Sequence, residues 1–295
     1  MKSHLRAALL LSPLLTIGAA PPRAPTPSEI VAQAPAAAWA AVPAEDLLVL
    51  DLDSGQRVVI ALAPAFAPVH IANIKALTRA GWFNGITINR VQDNYVTQWG
   101  DVTEKKAMPA GIVTNPPAEY ERPSAGLAFR PMGYRDAYAV QTGHAGGWTA
   151  ASDGRLAWLT HCYGMVGVGR NLAPDTGTGA ELYAVIGHGP RHLDRNIALV
   201  GRALSGMDAL AALPRGTEAL GVYRAGVARP AIKAARLAAD MPAADRPSYE
   251  VMRSDGPSFG QWLAARANRK DDFFIRPAGA IDICNAMPPA RAVKR

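Results

Sequence analysis

Residues 88 to 101, INRVQDNYVTQWGD, set Arg90 and Gln98 into a β-prone run that also carries Val91, Tyr95, Val96 and Trp99. A solvated sheet face would more usually hold Lys, Glu or Thr. A guanidinium with fixed donors, an amide that can donate and accept, and aromatic rings stand together here without a nucleophile. The set points to hydrogen bonding beside an apolar surface rather than to nucleophilic attack. The plainer alternative is an Arg90 surface ion pair and a Gln98 amide satisfied beside a turn.

Other candidate chemistries are weaker. His188 and His192 are spaced i, i+4, but Gly189 and Pro190 between them break the helix that a zinc pair needs, so no metal site is expected. His161 adjoins Cys162, yet neighbours on a strand face opposite ways, which argues against a thiol–imidazole pair. GVGRNLAPDTGTG, residues 167–179, lacks the Gly-Lys-Ser/Thr of a phosphate loop and reads as a flexible loop. Asp51 and Asp53 flank a turn and solvate it.

The surrounding elements follow from periodicity. DLLVLDLDSGQRVVIAL (46–62) is a β-hairpin pattern, with Asp-Ser-Gly as its turn. APVHIANIKALTRAG (67–81) reads as an amphipathic helix, with Pro68 at its start and Gly81 as its stop. Residues 102–160 are irregular and predict long loops with short strands. Strands are expected at 162–170, 179–187, 196–204 and 229–238, with a short helix at 205–213. PSFGQWLAARANR is expected as a helix capped by Ser258 and buried through Phe259, Trp262 and Leu263. Antiparallel strands with two helices suggest a closed, capped barrel rather than a doubly wound sheet.

Composition sets the class. At 295 residues, with 49% hydrophobic and 19% charged, the chain is globular rather than disordered. Its formal charge of +7 is spread along the chain without a nucleic-acid motif, so nucleic acid is not an expected partner. The opening MKSHLR, the apolar run AALLLSPLLTIG and the small residues after it have the order of a secretory signal peptide over residues 1–20. That run is too short to span a bilayer, which takes ~20 apolar residues, and no other segment is apolar enough. Residues 21–44 are an Ala/Pro-rich arm or linker. Cys162 and Cys284 are the two cysteines. In an oxidising compartment they read as a disulfide, with two separate buried thiols as the alternative.

Three pieces, in order, resemble the cyclophilin family. LAPAFAPVHIANIKALTRAGWFNGITINRVQDNYVTQWGD (62–101) looks like its signature: Ala-Pro, an Asn within a helix, Gly-aromatic-x-Gly, and Arg-Val ahead of Gln-x-Gly-Asp. GTGAELYAVIG (177–187) resembles its Gly-Ser-Gln-Phe-Phe-Ile strand. HLDRNIALVGRALSGMDAL (192–210) resembles its His-Leu-Asp-Gly-Lys-His segment and the helix after it. The resemblance implies a mainly β fold, a closed antiparallel barrel of eight strands capped by two helices. It places that domain at 45–238 with an insertion at about 125–160, and leaves 239–295 as a C-terminal α/β extension packed on the barrel.

The resemblance also implies a peptidyl-prolyl cis–trans isomerase that needs no cofactor. Arg90 would donate a hydrogen bond to the prolyl nitrogen, and Gln98 would position the substrate. Tyr95, Val96, Tyr183 and Leu193 would line a proline pocket, with Gly169 and the Arg170 backbone along the peptide groove. His192 stands where members that bind cyclosporin tightly carry a Trp. Ile197 stands where the family usually has a pocket His, Tyr95 and Tyr183 replace two Phe, and Val96 replaces a Met. Trp99 replaces a Gly, and Ala180-Glu181 replace Ser-Gln. The expected partners are proline-containing segments of exported proteins, met by a monomer in the periplasm. The alternative is a non-catalytic peptide-binding or envelope-assembly module on the same barrel. A hydrolase on an unrelated fold is a third, weaker reading.

Overall fold

The computed structural model describes residues 23–293. The expected leader and its cleavage point lie outside the described residues. Two strands, Leu47–Leu52 and Arg57–Leu62, form the first hairpin, with Gly55 at φ +86° in the turn and Asp51 opposite Arg57. Both strands are apolar at nearly every position, the mark of a sheet covered on both faces. Leu48, Leu50, Leu52, Val58, Ile60 and Leu62 enter the barrel core. Leu47, Val49, Val59 and Ala61 face outward and are covered by Ala238, Met241 and Tyr249.

The eight strands are ordered in space as Ile232–Leu237, Leu47–Leu52, Arg57–Leu62, Leu199–Ser205, Met165–Val168, Leu182–Val185, Val96–Gly100 and Thr87–Val91, all antiparallel. The two outer strands meet. The amide of Ile88 donates to the Pro230 carbonyl at 2.8 Å, that of Ile232 to Ile86 at 2.8 Å, and Thr87 bridges Ala231. The barrel therefore leaves little free edge.

Helix Pro68–Arg79 plugs one mouth with Ile71, Ile74 and Leu77. Pro68 costs nothing at the first turn, where its missing N–H would be unpaired, and Gly81 at φ +66° follows the helix end. The amides of Val69 and His70, orphaned by the helix start, donate to the Glu119 carboxylate at 2.9 and 3.0 Å. That carboxylate belongs to the long loop after residue 101, which is thereby tied to the barrel. Helix Met207–Ala211 packs Ala209 and Leu210 into the core.

The irregular region is more ordered than its composition suggested. Arg122–Pro123, Leu156–Leu159, Trp148–Ser152, Gln141–Ala145 and Arg130–Pro131 form a five-stranded antiparallel sheet in that order. Its central hairpin turns on Gly146 and Gly147, both at positive φ. Two-residue turns of this kind match the right-handed twist of the strands they join.

The Ala/Pro-rich arm also carries structure. Thr26 and Glu29 form a capping box at the start of helix Pro27–Gln33, and Trp39–Ala41 pairs with Tyr249–Met252. Tyr249–Met252 pairs in turn with Ala290–Ala292. Ile30, Trp39, Met252, Phe259 and Trp262 make a core between the two ends of the chain. Helix Pro257–Ala267 starts at Gly256 and not on a Ser258 cap: Pro257 takes the first helical position, which leaves Ser258 inside the helix and buried. A Cys162–Cys284 disulfide joins this extension to the barrel.

Candidate functional site

Arg90 and Gln98 meet because they are cross-strand partners. Thr87–Val91 and Val96–Gly100 form a hairpin whose register pairs Arg90 with Gln98, after a bulge between Ile88 and Arg90. The next strand sets Tyr183 opposite Gln98. Three strands thus carry a guanidinium, an amide and an aromatic ring side by side. Trp99, one residue on from Gln98, points the other way into the barrel core and leaves the site untouched.

The guanidinium is fixed by the protein. Its Nε donates to the Leu220 carbonyl at 2.7 Å, Nη1 to Gln98 Oε1 at 3.2 Å, and Nη2 to Gln92 Oε1. Arginine has five N–H donors, so two remain unengaged within the described residues. Leu220 sits at φ +60°, an uncommon conformation for a residue with a side chain, and its carbonyl receives Nε. Gln98 is aimed by a second contact, its Nε2 donating to Glu181 Oε1 at 2.5 Å. The Tyr95 ring lies 5.4 Å from the guanidinium. Partial burial draws the Arg90 pKa below its ordinary value, while Tyr95 and Glu181 act in the opposite sense.

Beside this pair opens a groove of about 750 Å³. It collects Arg90, Gln98, Tyr95, Val96, Gly169, Arg170, Tyr183, Leu193 and Ile197, which are all but one of the candidate residues. Val96 and Tyr183 form its apolar floor with Val185, and Tyr95 and Ile197 pack against them. The Arg170 side chain folds back, Nε and Nη2 donating to the Asn196 carbonyl at 3.1 and 3.0 Å, so that its backbone borders the groove. His192 does not line it. The one-turn helix Arg191–Leu193 buries Arg191 and turns Leu193 to the groove, which leaves His192 exposed to solvent.

Sequence reasoning missed Val168, Asn171 and the exposed Leu172, which complete one wall. It also missed Glu181 as the group that orients Gln98. The signal for Glu181 was present, since a carboxylate on a pocket strand needs a donor. Leu172 carries no such signal. Among the described residues no group of three or more His, Cys, Asp or Glu is placed to hold a metal ion.

The model of the cyclophilin type peptidyl-prolyl cis-trans isomerase family matches residues 48–230, which is most of the chain. The chain belongs to this family. Within it, the chain is 27% identical over 178 residues to a probable peptidyl-prolyl cis-trans isomerase of Brucella suis, covering 59% of this chain and 74% of that one. A probable isomerase of Brucella abortus is 26% identical over the same shares. Among solved structures, the cyclophilin AquaCyp293 from Hirschia baltica superposes with a TM-score of 0.67 at 24% identity, covering 86% of this chain and 93% of that one. At that identity the likeness is one of fold, and it extends beyond the cyclophilin barrel. The protein is thus a peptidyl-prolyl cis-trans isomerase by family.

The two tyrosines of this cyclophilin sit differently at the pocket. Tyr95 is half-buried and faces Arg90. Tyr183 is 5% exposed, and burial holds its phenol well above the usual tyrosine pKa. Its hydroxyl meets His161 Nε2 at 2.8 Å, away from the groove. Gly167 makes room for that hydroxyl, since a Cβ there would stand 2.3 Å from it.

Proposed function

We propose that this cyclophilin isomerises X–Pro bonds in exported proteins, with Arg90 as the group that lowers the barrier. Rotation about the prolyl amide is opposed by ~18–20 kcal/mol of lost resonance. At the twisted midpoint the prolyl nitrogen regains a lone pair and can accept a hydrogen bond. A donor fixed beforehand stabilises that state more than the planar ground state, which is the condition for raising the rate. Arg90 fits the task because it stays protonated, is held by its three protein contacts and keeps two donors in reserve. Gln98, aimed by Glu181, would hold the neighbouring carbonyl, and the floor of Val96 and Tyr183 would take the pyrrolidine ring.

The observation that carries the reading is the cross-strand placement of Arg90 and Gln98 over an apolar groove. Export is supported by the Cys162–Cys284 bridge, which persists in oxidising compartments, and by the leader-like pattern of residues 1–20, with the periplasm as the proposed address. Exchange NMR on a short proline peptide tests the function. The wild type should exchange prolyl isomers faster than buffer, and Arg90→Ala should lose most of that gain while staying folded. A wild type no faster than buffer would favour a peptide-binding module instead.

A further inference from the structure

Behind the groove lies a chain of buried polar groups that the isomerisation mechanism does not use. His161 is fully buried, and its Nδ1 lies 2.9 Å from Asp194 Oδ1, which also accepts the His161 backbone amide at 2.9 Å. The other carboxylate oxygen of Asp194 accepts from Arg191 Nε at 2.5 Å. Arg191 in turn reaches Asp136 of the insertion, Nη1 to Oδ2 at 3.0 Å and Nη2 to Oδ1 at 3.2 Å. Each carboxylate is paired, as burial of charge requires.

These contacts fix the tautomer. A carboxylate only accepts, so Nδ1 carries the proton toward Asp194 and leaves Nε2 as an acceptor. The Tyr183 hydroxyl therefore donates to Nε2 and turns its polar end out of the pocket. Burial also keeps His161 in the neutral form, lowering its pKa. The same carboxylate sits one residue after Leu193 and three before Ile197, both of which line the groove. Tyr183 is the floor of the pocket, and Leu193 and Ile197 are its wall. His161 does not line the groove, yet among the described residues its ring bonds Tyr183 on one side and Asp194, beside Leu193, on the other. Cys162, the next residue, is held by the disulfide, so the node itself has a fixed backbone.

We propose that His161 is a positioning residue for the isomerase: held by Asp194, it accepts the Tyr183 hydroxyl and locks the floor of the proline pocket to its wall. The proposal rests on the reading of the groove as the prolyl site. Through Arg191 and Asp136 the insertion becomes part of the support for that pocket.

A double-mutant cycle tests it with the tetrapeptide Ala-Ala-Pro-Ala, its KM and kcat taken from exchange NMR and its Kd from a shift titration. Tyr183→Phe keeps the ring and removes the donor, while His161→Phe removes the acceptor. Each should raise KM and Kd by about threefold to tenfold and change kcat less, and the double variant should be no worse than the poorer single one. His161→Gln, whose amide oxygen can still accept, should recover most of the loss. Singles that bind as the wild type does, or effects that multiply, would overturn the proposal.

Should His161→Phe fail to fold, the ring nitrogens of wild-type His161 decide by ¹⁵N NMR: Nδ1 protonated and Nε2 bare supports the lock, and the reverse refutes it. An Arg90→Ala control separates the two readings. If it keeps the full wild-type rate, the role given to Arg90 fails, whereas the Kd cycle still reports on His161.

Discussion

At the scale of single residues, Arg90 and Gln98 stand out in the sequence by their types and by the family resemblance, whereas the hairpin register that makes them cross-strand partners is seen only in the structure. Removing one preorganised donor costs ~10²–10³ in rate, so Arg90→Ala is expected to fall by that order in exchange NMR. Arg90→Lys is expected to recover little, because a single ammonium cannot bond Leu220, Gln98 and Gln92 and still present a donor. Gln98→Ala should fall less far. His161 shows the limit of local reading: a pairing with its neighbour Cys162 is rightly disfavoured, but its actual partners Asp194 and Tyr183 are remote in the chain. No residue near His161 in sequence points to either partner.

A second buried imidazole sets an acid limit. His144 donates Nε2–H to the Ala286 carbonyl at 2.7 Å, and burial lowers its pKa from 6.5 to about 4. Between those values the unfolded chain binds more protons than the folded one, so stability falls as pH falls. The loss is on the order of 3 kcal/mol by about pH 4, from ~1.4 kcal/mol for each pH unit of displacement. His161 acts in the same direction. Urea unfolding measured at pH steps across this window should show the decline, and His144→Gln should flatten it.

At the scale of elements, legibility followed side-chain size. The hairpin and helix of residues 47–79 are written in Leu, Val and Ile at clear periods, and the structure has them within a few residues of expectation. The insertion is rich in Ala and Gly, as in QTGHA and WTAAS, which dilute the strand preference of Thr and Trp, so short strands are expected there but not their pairing into one five-stranded sheet. Its local signals were the Gly146-Gly147 turn and, in the arm, the Thr26/Glu29 capping box. Small residues are required there: a Cβ on Gly143 would stand 2.0 Å from the Arg130 carbonyl oxygen. Gly143→Ala should therefore loosen the Arg130–Pro131 edge strand, seen as faster amide exchange there than in the barrel. The Cys162–Cys284 bridge closes a loop of 122 positions, for which chain entropy gives at most about 4–5 kcal/mol. Cys284→Ala should lose part of that in urea unfolding, with prolyl exchange largely retained.

At the scale of the whole molecule, the extension is a cover as well as an appendage. Leu47, Val49, Val59 and Ala61 are buried on the outside of the barrel, with Met241 and Tyr249 of the extension lying over them beside Val42, Ala44 and Trp148. A chain truncated after Ala238 should expose that face, bind a hydrophobic dye and scatter light where the full chain does not. The full chain behaving identically to the truncated one would show that the barrel covers itself.

The three-stranded sheet beside the barrel has a temporal meaning. Its first strand, Trp39–Ala41, is made early but has no partner until Tyr249–Met252 arrives, and that strand awaits Ala290–Ala292 on its other edge. The barrel strands are all in hand by Leu237, so in the order of synthesis the closed barrel precedes this sheet. Ala290–Ala292 completes the small sheet. Pairings this distant in sequence form slowly, so this small sheet is expected to be completed after the barrel has folded, and amide exchange followed during refolding should show its strands protected last.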